Sequence, residues 1–363
     1  MSSVDTTATN ATNVVDFPNT PVSLKNNNFI AKDIRAFIDA NIHLFREERL
    51  HIGGALIVIY TVLNGQREPP GLASIAAKIY TKVYGFRSSS AKPVPLVCYL
   101  FLLDYPKRLD VSKSDITSEE CNSGSTTFNL REKGEKGEKG YKFTEVVVWR
   151  QEEWEKVFYH ELIHAFHIDT FVLPPQPKMD AKLHKRLAFY NDTIQEAYAE
   201  VLATVLALAC GDKKVTDWKD DIIFMGSQVN KIIYFYHSVH NGHEDKLKEL
   251  AKNKTPPKPL SATTIENESM VWAFFSQQQG GHKQPPLPQC NFASYYILKS
   301  IYFWASLADP ALIQVSNLLD PDFINTYFYA TLLKSLKSGD YMRWLVRIYF
   351  TPTTDSLRMT LTL

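Results

Sequence analysis

The sequence is short of the features that tie a chain to a membrane, an oxidising compartment or nucleic acid. Its longest apolar run, Ile52 to Leu63, falls well below the ~20 residues of a membrane-spanning helix, so no spanning segment is expected. Its four cysteines, Cys98, Cys121, Cys210 and Cys290, are scattered without the short spacings of a thiolate metal site, which argues against a cysteine-based zinc module or a disulfide scaffold. Met1 to Asn28 is rich in Ser, Thr and Asn and has neither a basic start nor an apolar centre. It reads as a flexible tail, not a secretory signal. Cysteines kept as thiols and no export signal together predict a cytoplasmic or otherwise intracellular protein. An excess of one charge is missing as well: 40 Lys and Arg against 39 Asp and Glu leave +1, which argues against bulk electrostatic binding of nucleic acid or anionic membrane.

What is present is a globular composition, 45% hydrophobic over 363 residues, enough for one large core or two ordinary ones. Apolar residues recur at helical spacing from Phe29 to Asn64 and from Gly71 to Tyr84, so residues 29–90 are expected to be an N-terminal helical region. Val94 to Leu103 is a continuous apolar stretch closed by Asp104-Tyr105-Pro106, a buried strand with which the sheet is expected to begin. Ser112 to Thr127 reads as polar loop. In Arg131 to Gly140 glycine recurs at 134, 137 and 140; three triplets are too few for a collagen helix, and a solvated loop between two strands is the better reading. The run Val146-Val147-Val148-Trp149 marks a strand, expected to be an edge strand that pairs with an extended ligand chain. From Gln151 onward the spacing is helical, with proline clusters at 174, 175 and 177, at 256, 257 and 259, and at 285, 286 and 288 marking connections. The expected fold is therefore α+β and predominantly α: a small sheet leads into one key helix, followed by a helical second half. Residues 91–210 form the core of this scheme, and residues 211–363 a helical region closing a cleft.

The key helix contains His160-Glu161-Leu162-Ile163-His164. Residues four apart lie on one helical face, so His160 and His164 can offer ring nitrogens to one zinc ion. Glu161 lies ~100° round the helix, placed as a general base and not as a ligand. The bland alternative is an accidental match, which the uncharged flanks Leu162, Ile163, Ala165 and Phe166 weaken, because they suit a helix buried beneath an active site. A catalytic zinc needs a third protein ligand. The extended motif with glycine three and histidine six residues after the second histidine is absent, those positions being His167 and Thr170. His167 shares the face but stands ~10 Å along the axis from His160, so it reads as a second-shell or packing residue. Glu196 and Glu200, on a helix continued by the small Ala203 and Ala207, offer a third ligand and a carboxylate to orient a zinc-bound histidine. Thr193-x-x-Glu196 also fits a capping box, under which Glu196 would be structural.

A histidine pair of this kind with a glutamate on a downstream helix resembles the gluzincin superfamily of zinc peptidases, over residues 143 to 210. The stretch HELIHAFH is similar to the motif of the clostridial neurotoxin light chains. Glu196-Ala-Tyr-Ala-Glu200 is similar to the second motif of anthrax lethal factor and, more loosely, of thermolysin. No G-x-M-E-N motif of the gluzincin aminopeptidases is present. The resemblance implies a zincin-like core over 91–210, a zinc-dependent metallopeptidase acting on a protein or peptide, and a residue that steadies the oxyanion, for which Tyr190 is the nearest match in position, about one residue out of step. Tyr295, Tyr296, His237 and His240 are further candidates on later helices. The rival expectation is a non-catalytic binding or assembly protein that keeps the scaffold; the intact Glu161 counts against it, since a site kept for structure needs ligands but no base.

Overall fold

A computed structural model describes residues 30–62, 71–88, 95–105, 122–131, 142–184, 194–210, 218–240 and 292–348, with isolated positions between them. Among the described residues it is a mixed α+β protein with one five-stranded sheet and a mainly helical second half. Among the described residues no helix is long and apolar enough to cross a membrane.

The N-terminal region departs from the helical expectation. Among the described residues of 29–64 the α-helix is Lys32–Asn41 (α1), while Phe45–Ile52 (β1) and Ala55–Val62 (β2) are strands of an antiparallel hairpin; the helical reading of Gly71 to Tyr84 holds, as Leu72–Tyr84. The two-residue turn is Gly53-Gly54, with φ of +56° and +87°, the left-handed geometry that a tight hairpin turn demands and glycine adopts without steric cost. Two glycines inside a helix would each cost about 1 kcal/mol relative to alanine, and the β-branched Ile57-Val58-Ile59 favours a strand. The sheet thus begins at β1, not at residue 94. Helix α2 (Leu72–Tyr84) then crosses over to β3 (Leu96–Leu103), which runs parallel to β2.

The remaining strands are β4 (Gly124–Arg131) and β5 (Lys142–Arg150), and the order across the sheet is β1-β2-β3-β5-β4. Strand β5 pairs with β3 in parallel and with β4 antiparallel. The expected edge strand Val146–Trp149 is therefore interior, and the edge on that side is β4, whose first residues had read as polar loop. Residues 132–141, with the glycine triplets, lie outside the described residues. Alternate side chains of β3 and β5 enter two cores. Cys98, Leu100, Val146 and Val148 meet the helices of one face, while Val97, Tyr99, Val147 and Trp149 meet Ile34 and Ile38 of α1 on the other. Both faces being covered, the two strands read as continuous apolar runs.

Helix α3 (Trp154–Ala165) follows β5 and packs on β4, β5 and α2. The short α4 (Ile168–Val172) and α5 (Pro177–His184) lead to α6 (Ile194–Cys210), which lies along α3. Buried Ala197, Ala199 and Ala203 on α6 leave room for close helix contact. Behind α6 stand α7 (Lys219–His240) and α8 (Phe292–Ser306), followed by α9 (Val315–Leu318), α10 (Pro321–Ser338) and α11 (Asp340–Arg347).

Candidate metal centre

Helix α3 is wedged between sheet and helices, so almost its whole first two turns are buried, polar residues included. One stripe, Lys156, His160 and His164, faces α6; Glu161 faces β4. The helix ends at Ala165, and His167 takes a left-handed φ of 55°. That turn, unusual for a residue with a side chain, sends the chain back into α4 and brings Asp169 under His164.

The two imidazoles and Glu196 converge. Nε2 of His160 and Nε2 of His164 are 3.1 Å apart. Glu196 Oε1 is 3.0 Å from the first, and Oε2 is 3.2 Å from the second. A tetrahedral zinc ion with bonds of about 2.0–2.1 Å would set its ligands about 3.3 Å apart, so these three groups could hold a metal ion with little movement. Both oxygens of Glu196 are turned to the histidines, which favours the ligand over the capping reading. Thr193 itself lies outside the described residues.

The outer nitrogens fix the tautomers. His164 Nδ1 donates to Asp169 Oδ2 at 2.9 Å. His160 Nδ1 sits 3.1 Å from Glu200 Oε2, an ionic contact without good hydrogen-bond alignment. A carboxylate against Nδ1 keeps the proton there and turns the Nε2 lone pair inward. Two such lone pairs and a carboxylate repel one another unless a cation lies between them. Without a metal the cation is the proton. Although burial opposes charging, Glu196 and Glu200 push His160 up to about 9, and Glu196 with Asp169 holds His164 well above its ordinary value. Glu196 correspondingly resists protonation, because the two imidazoles overcome its burial.

Glu161 is buried beside this cluster, close enough to feel the charge of both histidines, but among the described residues it hydrogen-bonds to neither. Thr126 on β4 donates from Oγ1 to Glu161 Oε2 at 2.7 Å, and burial raises the carboxyl's proton affinity. Close approach of β4 requires Gly124. A Cβ there would lie 2.6 Å from Val157 Cγ1 and 2.7 Å from Glu161 Oε1. Glu200 is more than an orienting group. Its Oε1 also accepts from Lys156 at 2.6 Å and from Lys299 of α8 at 2.7 Å, and against burial these lysines hold it ionised.

Five expected residues, His160, Glu161, His164, Glu196 and Glu200, are thus assembled at one place. Tyr190 lies outside the described residues, as do the side chains of Tyr295, His237 and His240; Tyr296 lines the cleft that reaches His160 and Glu161. His167 plays the packing part: its ring stacks on Phe128, centroids 4.9 Å apart. Sequence reasoning missed Asp169, Lys156, Lys299, Thr126 and Gly124. Only Lys156 had a local signal, its place one turn before His160 on the same face.

No protein-family model, curated protein or solved structure matches this chain. Its chemistry alone carries the functional conclusion.

Proposed function

We propose that this protein is a zinc-dependent metallopeptidase with a zincin-like core, hydrolysing peptide bonds in a protein or peptide. The observation that carries the proposal is the convergence of His160 Nε2 and His164 Nε2, 3.1 Å apart, on the Glu196 carboxylate, whose Oε1 lies 3.0 Å from the first and Oε2 3.2 Å from the second, with Glu161 buried beside them and unused as a ligand. Two neutral nitrogens and one carboxylate suit zinc and leave a fourth position open. Zinc, when bound, supplies Lewis acidity and a water of lowered pKa.

The protein residues supply the rest. Glu161 is the proton carrier: held through Oε2 by Thr126, it takes up a proton at Oε1 and returns it to the leaving amine. Asp169 and Glu200 keep the ligand imidazoles in the tautomer that binds metal. Strand β4 stands at the sheet edge beside α3, so an extended substrate pairs there by backbone hydrogen bonds, not along the interior β5.

Elemental analysis of purified protein, paired with digestion of a peptide library by wild type and Glu161→Gln, tests this. The expected result is about one zinc per chain in both, and cleavage by wild type alone, since the amide is close in size but cannot take up a proton. Bound zinc with no cleavage by wild type would establish a binding module; absence of zinc, or near-normal turnover by Glu161→Gln, would overturn the mechanism.

A further inference from the structure

Strand β4 leaves its outer edge undefended. Among the described residues it has no neighbour on that side, and from Gly124 to Leu130, Gly-Ser-Thr-Thr-Phe-Asn-Leu, it carries no charged residue and no proline. Sheet proteins blunt an open edge with lysine, proline or an inward-pointing charge, because a bare edge recruits further strands. None of these devices is used here, on the strand that touches the proposed base.

The register sorts the side chains of β4. Gly124 and Thr126 stand opposite Val148 and Val146 of β5, on the sheet face that the helices cover. Both positions meet Glu161, Gly124 by close backbone approach and Thr126 through Oγ1. Phe128 follows on the same face: its ring lies nearly parallel to that of His167, with 17° between the planes and 4.9 Å between centroids. Between Thr127 and Leu130 the ladder then gains one residue on β4, and Leu130 turns to the opposite core. An extra residue of this kind bends a strand and re-aims a side chain, and is frequent beside active sites. The row Gly124, Thr126, Phe128 thus ends in an aromatic ring that is 37% exposed and backed by a second exposed ring. That apolar surface lies roughly 7 Å along the strand from Thr126, the rise of two residues.

We infer that the stacked rings of Phe128 and His167 form a substrate subsite for a large apolar side chain, aromatic or branched aliphatic, two positions along the substrate from the residue opposite Thr126. The inference rests on the peptidase reading, since pairing of the substrate with β4 is what brings its side chains to this spacing. Alternate side chains of an extended chain share one face. When one lies over Thr126, beside Glu161, the next on that face lies over Phe128. An apolar side chain there covers the exposed ring and is itself withdrawn from water, and an aromatic one adds a ring contact. A charged side chain at the same place loses hydration and finds no partner on the rings.

Labelled hexapeptides with Phe, Leu, Ser or Glu at each position in turn test this. Binding is read by fluorescence anisotropy on Glu161→Gln protein with zinc in the buffer, and cleavage on wild type. At one position Phe and Leu are expected to bind about 10- to 100-fold tighter than Ser, the value of burying one such side chain. Phe128→Ala should bring that ratio towards one and leave the Ser peptide unaffected. Phe128→Lys should turn the preference towards Glu at that position alone, a change that general loss of structure does not produce. His167→Asn removes the second ring while asparagine tolerates the left-handed turn; it should lower the ratio and keeps the test valid if changes at Phe128 disturb β4. No binding, no preference for Phe and Leu at any position, or a preference untouched by Phe128→Ala and His167→Asn would overturn the subsite. So would a dimer that Phe128→Lys dissociates while peptide binding stays the same, since the edge would then join two copies of the chain. Cleavage without preference would remove the subsite and leave the peptidase reading standing. Preference that depends on Phe128 without any cleavage would keep the subsite and remove the peptidase.

Discussion

Replacing Gly124 by alanine perturbs the proposed base, Glu161, without substituting a charged group or a proposed metal ligand. The added methyl would stand 2.6 Å from Val157 Cγ1, 2.8 Å from Glu161 Cγ and 2.7 Å from Glu161 Oε1, whereas carbon atoms pack comfortably at about 3.5–4.0 Å. The neighbours must retreat by roughly 1 Å. Glu161 has little room to swing, because Thr126 holds Oε2 and Val157 blocks the adjacent turn, so either the carboxylate turns out of line or α3 moves away from β4. Overpacking of this kind destabilises by about 1–3 kcal/mol. A 1 Å displacement of a catalytic group lowers turnover about 100-fold. His160, His164 and Glu196 lie on the α6 side of α3, so zinc should be retained. Thermal unfolding, zinc content and peptide hydrolysis of the variant provide three readings of one perturbation. Wild-type stability together with wild-type turnover would refute the close packing of β4 on Glu161, whatever the reaction.

Glu196→Gln should lower zinc affinity severely, measured by competition with a chelator, and leave the fold intact; a silent Glu196→Gln would return that residue to a capping role. Glu200→Gln should behave differently, losing about 10- to 100-fold in affinity and about 3–5 kcal/mol of stability, because Lys156 and Lys299 lose the buried carboxylate they share; equal and small effects in chemical denaturation would contradict that sharing. Asp169→Asn should weaken zinc binding about 10- to 100-fold without unfolding the protein, and unchanged affinity would remove Asp169 from the centre. In the metal-free protein His160 is raised from 6.5 to about 9, so its protonation stabilises the fold fully below about pH 6.5, and that contribution fades as pH rises through 9. Zinc must displace the same proton, so its apparent affinity should climb about 50-fold from pH 7 to pH 9 on this account alone, the group being half deprotonated at pH 9; a flat profile over that range would refute the assignment.

The sequence by itself determined whatever a single element's geometry settles. The 3.6-residue helical period put His160 and His164 on one face and Glu161 on another, and paired Glu196 with Glu200, so the five residues were legible before any packing was known. The apolar run of β3 likewise announced a buried strand, and the β-branched run of β5 a strand. The hairpin at Gly53-Gly54 was present in the sequence too, but the run from Ile52 to Leu63 fitted a helical period and hid it. Tertiary structure alone decided which strand lies at the edge. Side-chain alternation reports what covers a sheet's faces, while neighbours in the plane are joined by backbone hydrogen bonds that carry no side-chain signature. For the same reason β5 took the interior and β4, with Gly124 and Thr126, came to Glu161. Asp169 reaches His164 only because the chain reverses at His167, and Lys299 reaches Glu200 from 99 residues away. Such partners depend on how helices dock in three dimensions, a relation that spacing along the chain does not encode.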